Sequence, residues 1–304
     1  MRPRIGVALG SGGARGWSHI GVLRALDAAG LAPDIVCGTS IGAVVGALHL
    51  TGALGDFAQF VRRMNRARLS QYFDFTFSAG GIIAGKRVLQ VLQPIFGDSA
   101  IEDLPRGFAC VATDLANGDE VWLRSGRIID ALRASYAIPG LFPPVHRDGR
   151  WLMDGALVNP LPVSLCRALG AEVIIAVDVN AGILAPMRLD DGQLALTGRG
   201  GGLGFAGFMR GYFGRRRGAP STFGVLTRSL QISQTRLSRI RLAEDPPAVV
   251  LRPEVGHVGP LEFYRARECI AAGERAVAEA LGTIADLAGE AAAPRERPAR
   301  SAGG

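Results

Sequence analysis

The chain has 304 residues, of which 48 % are hydrophobic, and its 34 Lys and Arg against 27 Asp and Glu give a formal net charge of +7. This length accommodates one large α/β domain or two smaller ones with a substantial core, so size is no obstacle to an enzyme. The four cysteines are widely spaced and form no C-x-x-C pair, which argues against a disulfide framework and against a zinc site. We expect buried thiols in a reducing compartment.

No membrane-spanning segment is expected. Strand-like sequence begins at Ile5 without a hydrophobic leader, and no apolar run reaches the roughly 18 residues needed to cross a bilayer. We therefore expect a cytoplasmic protein, with peripheral contact at the inner membrane face left open. The positive charge is concentrated in arginines late in the chain, which could bind an anionic lipid surface or nucleic acid, or could form a solvated basic face.

The first predicted element is a buried strand, Ile5 to Leu9, followed by the glycine loop Gly10-Ser-Gly-Gly-Ala-Arg-Gly16 and a helix over 17–26. The loop departs from the dinucleotide fingerprint because Arg15 stands where a glycine is required, and it lacks the Lys and Ser or Thr of a P-loop. A third use is an oxyanion hole, in which glycine amides stabilise charge on an attacked carbonyl. That use requires a nucleophile on an adjacent strand.

Ser40 is the candidate nucleophile. The extended apolar run that starts at Asp34 ends in Gly38-Thr-Ser-Ile-Gly42 and turns directly into a small-residue helix over 43–50. A strand, Gly-x-Ser-x-Gly and a helix in this order are the context of a nucleophile elbow, where the serine lies on a strained turn before a helix N-terminus. Gly38 and Gly42 flank the serine because side chains there would collide with the neighbouring strand and the turn.

The middle of the chain predicts further helices and strands. We expect helices and a loop over 55–94, including a helix from Lys86 to Leu92, and a hairpin of strands 108–113 and 120–123 around Asn117-Gly118. A helix over 128–135, an extended proline-rich turn over 138–144, a strand over 151–156, a helix over 163–169 and a buried strand over 172–179 follow. By itself, Asp154 before Gly155 is typical of a turn.

The amino-acid composition changes after residue 180. Glycines and arginines dominate about 185–220, which we expect to be flexible, and residues 221–242 alternate leucines or isoleucines with arginines as in a basic amphipathic helix. That helix could bind a membrane surface or dock on the domain. A strand over 248–251, a helix over 261–287 and a disordered tail over 289–304 complete the chain.

A serine nucleophile needs a base. In the order Ser, Asp, His of the α/β-hydrolases, only His257 of the four histidines follows Asp154, which makes Ser40, Asp154 and His257 one candidate triad. The elbow of that fold comes after several strands, whereas here it follows the second, so the α/β-hydrolase assignment is weak.

Three motifs together resemble the patatin-like phospholipases, and in particular the short bacterial members. They are Gly12-Gly-Ala-Arg-Gly16, Gly38-Thr-Ser-Ile-Gly42 and Asp154-Gly-Ala156, in the family's order, and the likeness covers about residues 4–180 closely and 230–281 loosely. Ser11 departs from the pattern, because many members have the first glycine of a triple there. The resemblance implies a three-layer α/β/α fold with a largely parallel central sheet, formed by one hydrolase domain over residues 1–288.

The resemblance also implies an activity, that of a lipid acyl hydrolase or esterase without cofactor or metal. Ser40 would attack the ester carbonyl and Asp154, without a histidine, would accept its proton, leading to an acyl-serine intermediate. The oxyanion would be held by the amides of Gly12, Gly13, Ala14 and Arg15, and the motifs supported by Gly16, Gly38, Gly42 and Gly155. Arg15 and His19 are expected to be structural, and Asp114 and Ser135 match family positions without a role that we can derive.

Two functions of other classes stay open. A regulatory or scaffold protein would keep the fold and act through a partner or membrane, with residues 198–242 as its docking segment. Nucleic-acid binding would use the arginines and aromatic side chains of residues 198–218, although this stretch is short and lacks regular repeats.

Overall fold

The computed structural model describes residues 2–72, 74, 83–183 and 222–290. The Gly/Arg-rich segment predicted over 185–220 and most of the predicted tail therefore lie outside the described residues, as do Phe73, Phe75 and Phe77. Residues 289 and 290, which were assigned to the tail, belong to the last helix.

The described residues form an eight-stranded sheet in the order β5-β6-β3-β2-β1-β7-β8, with β4 paired to β3. The strands are β1 Ile5–Leu9, β2 Ile35–Thr39, β3 Gly107–Asp114, β4 Glu120–Leu123, β5 Val145–Arg147, β6 Arg150–Asp154, β7 Val173–Val177 and β8 Val249–Leu251. Strands β3, β2, β1, β7 and β8 pair in parallel, whereas β4, β6 and β5 are antiparallel additions at one side. The largely parallel sheet is the one predicted.

Helices cover both faces of this sheet. They are α1 Ser18–Ala28, α2 Ile41–Leu50, α3 Leu54–Arg62, α4 Arg66–Ser70, α5 Lys86–Phe96, α6 Ile128–Ser135, α7 Val163–Ala168, α8 Thr222–Glu244 and α9 Ala266–Glu290, with short 3-10 helices at Gly13–Trp17, Ile101–Asp103, Gly155–Leu157 and Phe263–Arg265. Alternate residues of each strand feed two separate cores: Val7 and Leu9 pack with α1, α2 and α9, while Ala8 and Cys37 pack with α7. This arrangement confirms the three-layer α/β/α fold, and all four cysteines are buried and free.

The structure differs most from the prediction at two helix boundaries and in one additional strand. Helix α5 continues through Pro94 to Phe96, and the carbonyl that loses its hydrogen bond there belongs to Gln90, an exposed residue that water can reach. The last helix begins at Ala266 instead of residue 261, after a turn in which the Glu262 carboxylate accepts the Gly259 amide. Strand β5 was not predicted.

The sheet brings two distant segments together at one edge. Thr39 at the end of β2 pairs with Val111 of β3, and the next residue of β3, Ala112, pairs with Asp154 at the end of β6. Ser40, which directly follows β2, and Asp154 therefore lie on either side of β3 at nearly the same height. Within the described ranges, no helix combines the length and apolar character that crossing a bilayer requires.

Candidate active site

Ser40 occupies a strained turn between β2 and α2. Its backbone has φ 58° and ψ −121°, a left-handed conformation that costs a non-glycine residue about 1–3 kcal/mol. Two sets of hydrogen bonds stabilise the turn: the Ser40 amide donates to Ser135 Oγ at 3.0 Å, and the Ser40 carbonyl accepts the amides of Ala43 and Val44. The side chain is thereby held at the N-terminus of α2.

The hydroxyl of Ser40 contacts the carboxylate of Asp154. Ser40 Oγ donates to Asp154 Oδ2 over 2.6 Å, and the other carboxylate oxygen, Oδ1, accepts the Ala156 amide over 2.8 Å. Both residues are buried, with exposed fractions of 4 % and 3 %. The main chain of Asp154 is held as well, since its amide donates to the Ala137 carbonyl and its carbonyl accepts from Thr113 Oγ1.

Burial changes the acid strength of Asp154. Removal of the carboxylate from water raises its pKa from 3.8 to about 7, and the hydrogen bonds from Ser40 and the Ala156 amide only partly offset this rise. A carboxylate with this pKa is a much better proton acceptor at neutral pH than an exposed aspartate. Nothing in the sequence local to Asp154 reveals that its carboxylate is buried.

The glycine loop faces the same site and leaves two amides available. Gly10, Ser11 and Ala14 donate their amides to the carbonyls of Val177, Pro160 and Pro260. Among the described residues, no acceptor contacts the amides of Gly12 and Gly13, and both residues line the cavity that contains Ser40. Ala14, which the resemblance included among the oxyanion donors, is engaged with Pro260 in this structure.

Five glycines of the three motifs allow close packing around Ser40, Asp154 and the glycine loop. A Cβ atom at each would lie 2.2–2.4 Å from a neighbouring atom: Val179 Cγ2 for Gly12, Ile41 Cγ2 for Gly16, Ala43 N for Gly38, Leu9 O for Gly42 and Val111 O for Gly155. Because such distances are far below van der Waals contact, a side chain at any of these positions would separate the elements that meet there. Gly16 in particular brings the glycine loop against the residue that follows Ser40.

A cavity of about 240 Å³ opens beside Ser40 and Asp154. Its wall is mainly apolar, with side chains from the glycine loop, from α2 to α5 and from α8, among them Trp17, Ile41, Phe57, Phe60, Leu226 and Leu230. Phe57, Phe60 and Tyr72 contribute aromatic rings from the segment in which we predicted helices and a loop over 55–94. The described residues include no group of three or more His, Cys, Asp or Glu side chains that could hold a metal ion.

The family model described as patatin-like phospholipase matches residues 7–167 of this chain. The chain belongs to the patatin-like phospholipase family. An uncharacterized NTE family protein of Mycobacterium tuberculosis is 41 % identical over 186 residues, which are 61 % of this chain and 52 % of the relative. A second one from the same organism is 33 % identical over 294 residues, 93 % of this chain and 47 % of the relative.

Two further proteins are similar to parts of this chain. Lysophospholipase NTE1 of Coccidioides immitis is 32 % identical over 272 residues, which are 86 % of this chain and 16 % of that protein. Among solved structures, VipD from Legionella pneumophila aligns with a TM-score of 0.39 and 13 % identity over 58 % of this chain and 50 % of that chain. The chain spans about half the length of the mycobacterial relatives it matches.

In this patatin-like chain, the histidines lie apart from Ser40 and Asp154. His19 is buried and donates Nε2–H to the Gly10 carbonyl at 2.7 Å, and burial lowers its pKa to about 4, so the ring is neutral. His257 Nε2 lies 2.5 Å from Glu268 Oε1, and the described residues that line the cavity do not include His257. The triad of Ser40, Asp154 and His257 therefore finds no support in this geometry.

Helix α8 packs on the rest of the patatin-like fold. Docking on the domain was one of the two alternatives predicted for the amphipathic segment 221–242. Arg241 donates to the Val158 carbonyl and forms an ion pair with Glu120 over 2.9 Å, and Arg228 donates to the Ile183 carbonyl. The N-terminal half of the helix contributes Leu226 and Leu230 to the cavity. Its arginines thus attach a wall of the cavity to the sheet.

Two supporting residues were missed or left without a role by the sequence analysis. Asn180 bridges the glycine loop to the end of β7, because Nδ2 donates to the Ser11 carbonyl and Oδ1 accepts from the buried Arg15 guanidinium, which also binds the Val258 carbonyl. These contacts give Arg15 the structural role expected of it. Ser135 is the second supporting residue, because its Oγ accepts the hydrogen bond from the Ser40 amide. Asn180 could have been suspected, because it follows a buried parallel strand at the edge where ligand sites collect.

Proposed function

We propose that this chain hydrolyses carboxylic esters of lipids through a dyad of Ser40 and Asp154. The observation that carries the proposal is the buried hydrogen bond of 2.6 Å between Ser40 Oγ and Asp154 Oδ2, beside an apolar cavity. Serine nucleophiles are activated by an adjacent base, and here the base that contacts the hydroxyl is a carboxylate. Membership of the patatin-like phospholipases supports a lipid ester as the substrate.

The first half-reaction forms the acyl-enzyme. Ser40 Oγ attacks the ester carbonyl carbon while its proton moves to Asp154 Oδ2, and the amides of Gly12 and Gly13 donate to the oxyanion that results. Collapse of this tetrahedral intermediate breaks the ester C–O bond. Asp154 then returns the proton to the departing alkoxide, which leaves as an alcohol.

The second half-reaction releases the fatty acid. Water enters beside Asp154 and attacks the acyl carbon, Asp154 accepts a proton from the water, and the same amides again hold the oxyanion. The bond between the acyl carbon and Ser40 Oγ breaks as the proton passes back to the serine. Because Asp154 must be ionised to start either half, we expect the rate to rise with pH through an apparent pKa of about 7.

The cavity indicates which part of the substrate is bound. Its apolar side chains suit an acyl chain, since a polar head group would lose its hydration there without gaining hydrogen bonds. We therefore place the acyl chain in the cavity and the leaving alcohol towards solvent. The fungal relative is named a lysophospholipase, which is consistent with this class of substrate.

Hydrolysis of p-nitrophenyl butyrate and octanoate by the full chain tests the proposal, together with labelling by a fluorophosphonate that reacts with activated serines. We expect Ser40→Ala and Asp154→Asn each to reduce kcat by at least about 10³-fold, and Ser40→Ala to abolish labelling. Asp114→Asn is the matched control, because this buried aspartate ends the neighbouring strand and contacts the Ala116 amide and Arg150 instead of Ser40. It should retain activity.

Other outcomes would favour the alternatives. A folded His257→Ala variant without activity would restore the triad of Ser40, Asp154 and His257. A wild-type protein that neither hydrolyses esters of any chain length nor reacts with the fluorophosphonate would favour the regulatory or scaffold function.

A further inference from the structure

The segment 57–97, which supplies part of the cavity wall, contains many more basic than acidic residues. Residues 57–97 contain a single acidic side chain, Asp74, against six basic ones: Arg62, Arg63, Arg66, Arg68, Lys86 and Arg87. Within the described ranges, Asp74 forms no ion pair with them, and its carboxylate accepts the main-chain amides of Gly85 and Lys86. Among the described residues, only Arg62 of the six lies within 4.0 Å of a carboxylate, that of Glu274 at 3.7 Å.

Several arginines elsewhere in the described part of the molecule have acidic partners. Arg127 pairs with Asp98 and Asp130, Arg167 with Asp245, and Arg265 with Glu262 and Glu268. The five remaining basic residues of this segment, Arg63, Arg66, Arg68, Lys86 and Arg87, do not line the cavity and are all exposed. We call these five residues the cationic rim.

The cationic rim surrounds side chains that line the cavity. Met64 and Leu69 lie between its arginines in sequence and face the cavity, as do Val88 and Val91 after Lys86 and Arg87. The two parts of the rim adjoin, because Arg87 Nη1 donates to the Gln71 carbonyl at the end of the first part. Charge on the outside and apolar side chains on the inside therefore alternate along the same short helices.

A second wall of the cavity exposes apolar side chains. On α8, Val225 and Ile232 are 49 % and 40 % exposed, although they adjoin Leu226 and Gln231, which line the cavity. Apolar side chains exposed beside arginines are typical of segments that lie at the interface of a membrane. Nucleic acid is the less suitable partner for the rim, since the aromatic side chains that adjoin it offer no open stacking platform to bases. Phe60 and Tyr72 line the cavity, and the ring of Tyr264 lies against the Arg66 guanidinium, 4.9 Å from the ring centroid.

We propose that the cationic rim binds the head groups of an anionic lipid surface, so that the cavity receives its acyl chain directly from the bilayer. This inference rests on the proposed ester hydrolysis for its purpose, but the binding itself requires no catalysis. Each cation near such a surface contributes about 1 kcal/mol, equivalent to about fivefold in affinity, and the contribution is screened by salt. Loss of two rim charges should therefore weaken binding by about 25-fold, and reversal by more.

Flotation of the full chain with lipid vesicles tests the proposal. The protein carries Ser40→Ala so that lipid is not consumed, and the vesicles are phosphatidylcholine alone or with increasing phosphatidylglycerol, at low and at high NaCl. The test variant is Arg63→Glu with Arg68→Glu, whose side chains form no ion pair within the described ranges. The matched control is Arg4→Glu with Arg124→Glu, which changes the net charge equally at exposed positions on the opposite edge of the sheet.

We expect the parent to bind phosphatidylglycerol vesicles in a salt-sensitive manner, the rim variant to lose more than about 25-fold in affinity, and the control to lose less than about threefold. Equal losses in both variants, or no binding by the parent, would overturn the proposal. So would tighter binding of the parent to single-stranded DNA than to these vesicles at the same ionic strength.

A separate assay distinguishes this failure from that of the proposed function. In this assay the protein keeps Ser40. The variant with Arg63→Glu and Arg68→Glu should then hydrolyse soluble p-nitrophenyl butyrate at the wild-type rate, because neither arginine lines the cavity. If the wild-type protein does not hydrolyse the ester, the proposed ester hydrolysis is wrong. If it hydrolyses the ester normally but does not bind vesicles, only the proposed binding to a lipid surface is wrong.

Discussion

The edge of the sheet that carries Ser40 and the helices that wall the cavity obey different constraints. At the edge, Gly38 and Gly42 have no room for a single additional carbon atom, and the side chains of Ser40 and Asp154 are buried. On the wall, a Cβ at Gly55 of α3 would meet nothing within 4 Å, and half of Val225 on α8 is exposed. The difference indicates that the reacting groups allow little change, whereas the surface that selects a substrate can vary without disturbing them.

The largest expected effect comes from adding one methyl group in each region. Gly42→Ala would place Cβ 2.2 Å from the Leu9 carbonyl oxygen, so we expect a loss of more than about 4 kcal/mol in the free energy of unfolding, or no folded protein. Gly55→Ala, in the open space of α3, should stabilise the protein by about 0.5–1 kcal/mol. Urea unfolding measures both, and equal stabilities for the two variants would refute the contrast.

The raised pKa of Asp154 predicts a stability that depends on pH. Its pKa is about 7 in the folded state against an ordinary 3.8, so between about pH 4 and pH 7 the folded chain holds a proton that the unfolded chain releases. Stability contributed by the protonated group is present below pH 4 and is lost as the pH rises towards 7. We expect Asp154→Asn to be more stable than the wild type by about 2–4 kcal/mol at pH 8 and nearly equal at pH 4.

Urea unfolding of the two proteins at both pH values measures this difference. Asp114→Asn serves as the control for replacing a buried aspartate by asparagine. A stability difference for Asp154→Asn that stays constant from pH 4 to pH 8 would contradict the burial argument.

The strained backbone of Ser40 predicts a smaller effect. Glycine adopts φ 58° and ψ −121° without the steric cost that alanine pays, so Ser40→Gly should be about 1 kcal/mol more stable than Ser40→Ala. Ser229, exposed in the middle of α8, provides the reverse case, because Ser229→Gly should be about 1 kcal/mol less stable than Ser229→Ala. Thermal unfolding of the four variants checks the sign at each position.

The last prediction concerns the choice of substrate. Leu230→Trp adds bulk inside the cavity, and we expect the ratio of kcat/KM for a dodecanoyl ester to that for a butyryl ester to fall about tenfold. Val225→Trp adds the same ring to the exposed face of the same helix and should leave the ratio unchanged. An equal fall in both variants would show that the ring disturbs α8 instead of filling the cavity.

The sequence by itself determined the order of strands and helices and the identity of the strained serine. A buried strand, Gly-x-Ser-x-Gly and a small-residue helix are consecutive, and the conformation of Ser40 follows from these local neighbours. The hairpin of β5 and β6 carried a similar local signal that was overlooked. Asp148 and Gly149, with φ values of 51° and 74°, form its two-residue turn, and Asp-Gly is a strong predictor of such turns.

Only the tertiary structure decided how Asp154 and the glycine loop meet Ser40. Local sequence suggested a turn for Asp154, and the resemblance to a family assigned it a different role, but its contact with Ser40 depends on the pairing of β3 with both β2 and β6. The same pairing buries the carboxylate and raises its pKa. Residues far away in the chain also decide which loop amides are engaged and which arginines have an acidic partner. Pro260 accepts the Ala14 amide and Glu120 pairs with Arg241, and no short-range sequence pattern encodes these contacts.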